Sequence, residues 1–287
     1  MNFLVLGAGG MAGHIVALYL LEKGHAVTAF AKRSLPFCKT IIGNALNKED
    51  ITKAVLCDDF DAVVNCIGVL NSNVDSNLAD GIYLNSVLPH QLAALTAERR
   101  TKTIHLSTDC VFAGHGGGNY SENSFRDADT FYGRSKALGE INDNKNLTIR
   151  TSIIGPDINQ NGLGLFNWFM KQNGSANGFV CAIWTGVTTL ALAKAIEQAA
   201  YQNITGIYHL VNNQSISKFN LLCMFNQIRK EPVAIIPTQN APVNKSLVNN
   251  RTDFNFIVPE YQEMINDMWA WIKNHNELYP HYNCKEI

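Results

Sequence analysis

A chain of 287 residues with 46% hydrophobic content can bury one large α/β domain, with or without a smaller lobe. A net charge of −1 with only 16% charged residues excludes an electrostatically driven binder of nucleic acid or other polyanions. The seven cysteines are scattered and form no Cys-x-x-Cys pair, so they read as reduced thiols of a cytoplasmic protein rather than a disulfide or zinc framework.

The first half alternates strand and helix signals. Phe3–Leu6 is a short apolar run that ends at Gly7 with no basic region before it, so it reads as a strand and not a signal peptide. A helical pattern covers about 11–23 and is closed by Gly24; its apolar run from Ile15 to Leu21 is too short to span a bilayer. A second strand covers about 26–30. After a loop come a helix at about 48–57, a buried strand at 62–66, and a long helix at about 82–99 with Pro89 as its expected kink. Strand 103–107, helix 130–142 and strand 147–150 complete the series. Strands separated by helices in this way predict right-handed crossovers and a parallel sheet covered on both faces.

Beyond Arg150 the pattern loosens. Segments 159–164 and 174–178 are glycine- and asparagine-rich and read as loops around the aromatic stretch Phe166-Asn167-Trp168-Phe169. Helices follow at 188–200, 217–227 (opened by a serine cap) and 260–274, with a strand at 206–211 that can rejoin the sheet. Met264, Met268, Trp271 and Ile272 recur at helical spacing and read as core. His281 and Cys284 near the C-terminus are an incidental pair, not a metal site.

Two motifs carry chemistry. Gly7, Gly10 and Gly13 follow the first strand and open the first helix, the context in which a glycine turn cradles a pyrophosphate at a helix N-terminus. The second strand ends in Phe30-Ala31-Lys32-Arg33, where an acidic residue would select NAD; two cations suit a 2′-phosphate, or are ordinary solvated charges. NADP(H) is therefore favoured, with NAD(H) left open. Asn44, in Gly43-Asn44-Ala45-Leu46, can reach the adenine, and Cys66 and Gly68 lie at the end of a buried strand along the cofactor path. The second motif is Tyr132-Gly133-Arg134-Ser135-Lys136, downstream of Ser107-Thr108-Asp109. Tyr132 and Lys136 are four apart on a helix, roughly 5–6 Å at Cβ, so the ammonium is expected to lower the phenol pKa and tune it for proton transfer.

Together these residues resemble the extended short-chain dehydrogenase/reductase family, and within it the dTDP-4-dehydrorhamnose reductase branch of nucleotide-sugar reductases. The likeness includes Ser107-Thr108-Asp109 with Val111-Phe112 and Gly114, Tyr120-x-Glu122, Tyr132-Gly133-x-Ser135-Lys136, Gly139-Glu140 and Arg150-Thr151-Ser152. Weaker echoes follow at Thr185-Gly186-Val187 and Gly206–Leu210. The resemblance implies an α/β fold: a Rossmann-type doubly wound parallel sheet over 1–155, with 185–212 returning to it. Residues 156–184 and 213–287 would form a smaller substrate-binding lobe. It implies a reductase in surface polysaccharide or deoxysugar biosynthesis, acting on a nucleotide-linked keto sugar, with a homodimer left open. Tyr132 would protonate the substrate oxygen, Lys136 would hold the nicotinamide ribose, and Thr108 would bond the carbonyl oxygen. Met11 and Asn85 would join the cofactor site, and Asp109 and Cys110 the sugar site.

Of three departures from the branch, the first two lie near the expected substrate side and bear on the substrate. Cys110 stands where a tyrosine is usual, Trp184 where a proline is usual, and Asn44 where an aspartate is usual. Trp184 either shapes a different sugar pocket or packs in the core. Trp168, in the candidate substrate loop 161–169, either stacks on a base or sugar or packs on the lobe. Arg251 is a candidate diphosphate contact. An epimerase or dehydratase of the same family, or a non-catalytic subunit like that of methionine adenosyltransferase, is the alternative.

Overall fold

The computed structural model describes residues 1–240 and 242–282; Cys284 lies outside the described residues. The first half runs β1 (Asn2–Leu6), α1 (Met11–Glu22), β2 (Ala26–Ala31), β3 (Lys39–Ile42), α2 (Lys48–Leu56), β4 (Ala62–Asn65), α3 (Asn71–Ser76), α4 (Leu78–Ile82), α5 (Leu88–Leu95), β5 (Lys102–Leu106), α6 (Phe131–Leu138) and β6 (Leu147–Arg150). The second half runs β7 (Ile153–Ile154), α7 (Leu165–Met170), β8 (Ser175–Phe179), β9 (Ala182–Trp184), β10 (Val187–Thr188), α8 (Thr189–Tyr201), β11 (Gly206–His209), β12 (Ile216–Ser217), α9 (Lys218–Ile228), β13 (Ala234–Thr238), β14 (Val243–Asn244) and α10 (Tyr261–Asn274).

Seven strands form one parallel sheet in the order β11-β6-β5-β4-β1-β2-β3. The central strands are buried runs such as Phe3–Leu6 and Ala62–Asn65, as expected where helices cover both faces. From β1 the chain builds outward through β2 and β3, then crosses back to β4, so the order reverses between β1 and β4. That switch point opens a crevice at the carboxyl ends of the strands. It lies between Gly7, after β1, and Cys66, after β4.

Three elements differ from expectation for identifiable reasons. β3 reads as loop because it is a half-exposed edge strand with little apolar pattern, and its pairing with β2 defines it. β8 reads as a glycine-rich loop because its partner, β13, lies far along the chain. The long helix around Pro89 is three pieces: α4, a five-residue π-helical turn at Tyr83–Val87, and α5. Leu88 N–H bonds Tyr83 O five residues back, and Pro89 has no N–H to offer Asn85 O four back. α6 stops at Leu138 because Gly139 packs against Asn85; a Cβ there would stand 1.9 Å from Asn85 O.

One buried carboxylate joins the ends of several elements. Arg150, fully buried at the end of β6, makes a two-pronged pair with Glu140: Nε to Oε1 and Nη2 to Oε2, both at 2.6 Å. Ser107 Oγ donates to Glu140 Oε1 at 2.7 Å, and Arg126 Nη1 to Oε2 at 3.0 Å. Arg150 Nη1 also donates to Glu122 O at 3.1 Å and faces His209 Nε2 on β11 at 3.1 Å. Burial lowers the His209 pKa to about 4, so the ring is neutral at physiological pH. The network anchors the residue just before Thr108 and the second residue beyond α6. Glu140→Gln would leave Arg150 buried without its countercharge, a loss of about 3–5 kcal/mol. Thermal unfolding of the variant should show a marked drop in Tm, and a Tm equal to wild type would contradict this role.

Candidate active site

The glycine turn has the geometry of a phosphate cradle. Gly7 has φ +75°, and a Cβ there would lie 2.9 Å from the Ile67 side chain. A Cβ on Gly13 would lie 2.3 Å from Gly7 O, so α1 can approach β1 this closely only with glycine at that position. Gly10 is the N-cap of α1, offers no side-chain cap, and no acidic residue occupies the first turn. The first-turn amides and the positive end of the helix therefore face the crevice with no protein anion to neutralise them. These residues fit a dinucleotide pyrophosphate. Met11, at the start of the helix, meets loop 159–164 from the other side: a Cβ on Gly164 would lie 3.1 Å from Met11 Sδ.

Lys32 and Arg33 follow β2, are exposed, and make no hydrogen bond or ion pair among the described residues. Asn44 is exposed, and its Oδ1 accepts the Leu46 N–H at 3.2 Å, which leaves its amide N–H groups outward. Gly68 is exposed, and Cys66 is half-buried at the crevice. Asn85 Oδ1 accepts from Val69 N at 2.9 Å, and its Nδ2 donates to Val69 O at 2.9 Å and to Ser135 Oγ at 3.1 Å. The amide is engaged in tying the segment after β4 to α6.

Thr108, Asp109, Cys110 and Tyr132 come together. Thr108 Oγ1 donates to Asp109 Oδ1 at 3.0 Å and accepts from Cys110 N at 3.1 Å. A Cβ on Gly133 would lie 2.1 Å from Cys110 O, so the glycine beside Tyr132 lets α6 press against this turn. Burial raises the Tyr132 phenol well above its ordinary pKa; the nearby Cys110 adds to this, and the Thr108 hydroxyl works the other way. Burial likewise raises the carboxyl of Asp109. It pushes the Cys110 and Cys66 thiols up to about 12, so neither is a thiolate at neutral pH.

Lys136 corrects the expectation about the phenol. Its Nζ donates to Leu106 O at 2.5 Å and faces His105 Nε2 at 3.3 Å, while Asn65 Nδ2 meets the other ring nitrogen at 3.1 Å. The ammonium is turned to the end of β5, and burial, not the lysine, dominates the tyrosine. Burial also lowers Lys136 to about 8, with Glu140 and Cys66 opposing the shift. His105 lacks any sequence signal beyond its place in β5, whose register with β4 sets it beside Asn65.

Three candidate substrate residues fare differently. Trp168 on α7 is 42% exposed and available. Trp184 is 5% exposed, lies 5.6 Å from the Tyr261 ring and packs in the main apolar core. Arg251 is not at the crevice. Its Nη1 donates to Thr205 O at 2.6 Å and Ile207 O at 2.8 Å, its Nε donates to Asp253 Oδ1 at 2.9 Å, and its guanidinium lies 5.5 Å from the Tyr208 ring. These carbonyls mark the amino end of β11, opposite the carboxyl edge where Tyr132 stands.

Among the described residues there is no group of three or more side chains able to hold a metal, and no helix long and apolar enough to cross a membrane. The fold matches that of dTDP-4-dehydrorhamnose reductase from Bacillus anthracis, solved in complex with NADP, with a TM-score of 0.80 at 18% identity over 94% of this chain and 100% of that one. The curated dTDP-4-dehydrorhamnose reductase of Salmonella typhimurium is 26% identical over 91% of this chain and 95% of its own. The probable low-salt glycan biosynthesis reductase Agl14 of Haloferax volcanii is 33% identical over 143 residues, 49% of this chain and 48% of that protein, so the chain spans about half the length of this relative. The family described as RmlD substrate binding domain matches residues 1–270, from the glycine turn through the Thr108–Tyr132–Lys136 constellation and well into α10, and the chain belongs to that family.

Proposed function

We propose that the chain is an NADPH-dependent reductase of a nucleotide-linked keto sugar in surface polysaccharide or deoxysugar biosynthesis, working in the cytoplasm. The observation that carries this reading is the meeting of Tyr132, Thr108 and Asp109 at the carboxyl edge of the sheet, one crevice away from an uncapped glycine turn. The names of the curated relatives support the substrate class.

A phenol held protonated by burial is suited to give up a proton only when an oxyanion develops against it. Tyr132 donates its proton to the sugar carbonyl oxygen as that oxygen becomes an alcohol. Thr108 orients the same oxygen with its hydroxyl, and Asp109 binds a sugar hydroxyl. Lys136, whose ammonium sits at the carboxyl end of β5, holds the nicotinamide ribose and steadies the phenolate left on Tyr132. When bound, the reduced nicotinamide supplies the hydride to the carbonyl carbon. Lys32 and Arg33, exposed and uncommitted, bind the adenosine 2′-phosphate and set the preference for NADPH.

Three outcomes test this reading. Tyr132→Phe should lower kcat for NADPH oxidation against 4-keto nucleotide sugars by at least about a hundredfold; equal rates in both proteins would refute the catalytic role. The double variant Lys32→Ala/Arg33→Ala should raise the KM for NADPH by about tenfold or more and leave the KM for NADH nearly unchanged. An equal loss for both cofactors would remove the 2′-phosphate assignment. Lys136 carries its charge below about pH 8 and loses it above, so kcat/KM for NADPH should fall as pH rises through that value. A profile flat from pH 7 to 9 would exclude a charged Lys136 from cofactor binding.

A further inference from the structure

A nucleotide sugar brings a diphosphate, and Arg251 is spent at the far end of β11. Two other cations act on Asp109. β9 is flanked by β12 and β14, and Ile183 lies opposite both Ser217 and Asn244. Lys218 follows Ser217, and Lys245 follows Asn244. This small sheet thereby gathers two lysines from separate parts of the sequence.

Lys245 lies over the loop that leaves the Asp109 turn. Its Cγ is 2.8 Å from where a Cβ on Gly114 would stand, and Asn244 N–H donates to Gly114 O at 3.3 Å. Gly114 has φ +86°, so the loop bends back under the lysine in a conformation that glycine favours. Lys218 is the first residue of α9, whose first turn has no acidic residue, and a cation at this end opposes the helix dipole. Both lysines are half-buried, and neither has a hydrogen-bond or ion-pair partner among the described residues. Their charges converge on one group: both draw the Asp109 carboxyl back toward ionisation, against the burial that raises it. Lys245 also acts on exposed Asp129, but two half-buried ammonium groups with no ion-paired partner among the described residues, both acting on the same buried carboxyl, suit a dianion beside it.

We infer that Lys218 and Lys245 clamp the diphosphate of the nucleotide sugar and so set the reach of its sugar toward Tyr132. This rests on the reductase reading above. The lysines act as point charges on phosphate oxygens, a role that needs no planar fork. Since their charges act on Asp109, they serve the substrate diphosphate and not the pyrophosphate of the dinucleotide.

The test is calorimetric titration of the full chain with thymidine diphosphate and with uridine diphosphate at saturating NADPH, alongside reductase kinetics. Lys218→Gln and Lys245→Gln should each weaken binding of the better nucleoside diphosphate by about tenfold and raise the KM for the keto sugar similarly. The effect should fall on KM and not on kcat, with the KM for NADPH unmoved. Lys245→Arg should keep most of the affinity, and binding by the double Gln variant should depend less on salt than binding by wild type. Wild-type binding with unchanged affinity in both Gln variants overturns the lysine clamp and leaves the reductase reading in place. Failure of the wild-type chain both to bind either diphosphate and to reduce any keto sugar nucleotide overturns the clamp and the reductase reading together.

Discussion

The arrangement depends on a single carboxylate taken out of water. Glu140 accepts from Arg150, Ser107 and Arg126 at once, and Arg150 passes the connection on to Glu122 and His209. A buried ion pair contributes little net stability after its desolvation cost, but it holds directions firmly because each donor is committed. Here those directions belong to the residue before Thr108, the end of the helix bearing Tyr132 and Lys136, and the last strands of the sheet. The motifs that mark the family in sequence are thus the contact points of one network. Gly139 is part of the same device: it brings the helix end against Asn85, whose side chain holds Val69 and Ser135.

Burial also sets the chemistry. In water a tyrosine beside a lysine would feel chiefly its charge. In this crevice the loss of solvent dominates both groups, so the phenol keeps its proton more strongly and the ammonium holds its own less strongly. A reductase has use for both shifts. A phenol held protonated in this way suits a donor to a developing oxyanion, and the lysine rests on a backbone carbonyl and a neutral histidine. The two nearby thiols are held protonated by the same loss of water.

Much of this was legible along the chain. The alternation of apolar strands with amphipathic helices through Arg150 gave the sheet, because central parallel strands are continuous apolar runs. The glycine spacing gave the turn, because no other residue fits 2.3 Å from Gly7 O. What escaped was long-range or exposed. β3 and β8 are strands by virtue of partners, not composition. Arg251 and Trp184 have the chemistry of ligand-binding residues, but one closes a sheet edge and the other fills a core; side-chain type alone does not say which way a residue faces.

The sequence by itself determined the fold class, the glycine turn and the order Thr108, Tyr132, Lys136, since these follow from short-range periodicity and from motifs read within a few residues. Only the tertiary structure decided the direction of the Lys136 ammonium, the commitment of Asn85, and the placing of Lys218 and Lys245 opposite Asp109. Those depend on which segments pack together and how much water they exclude, and both are properties of contacts between residues distant in the chain.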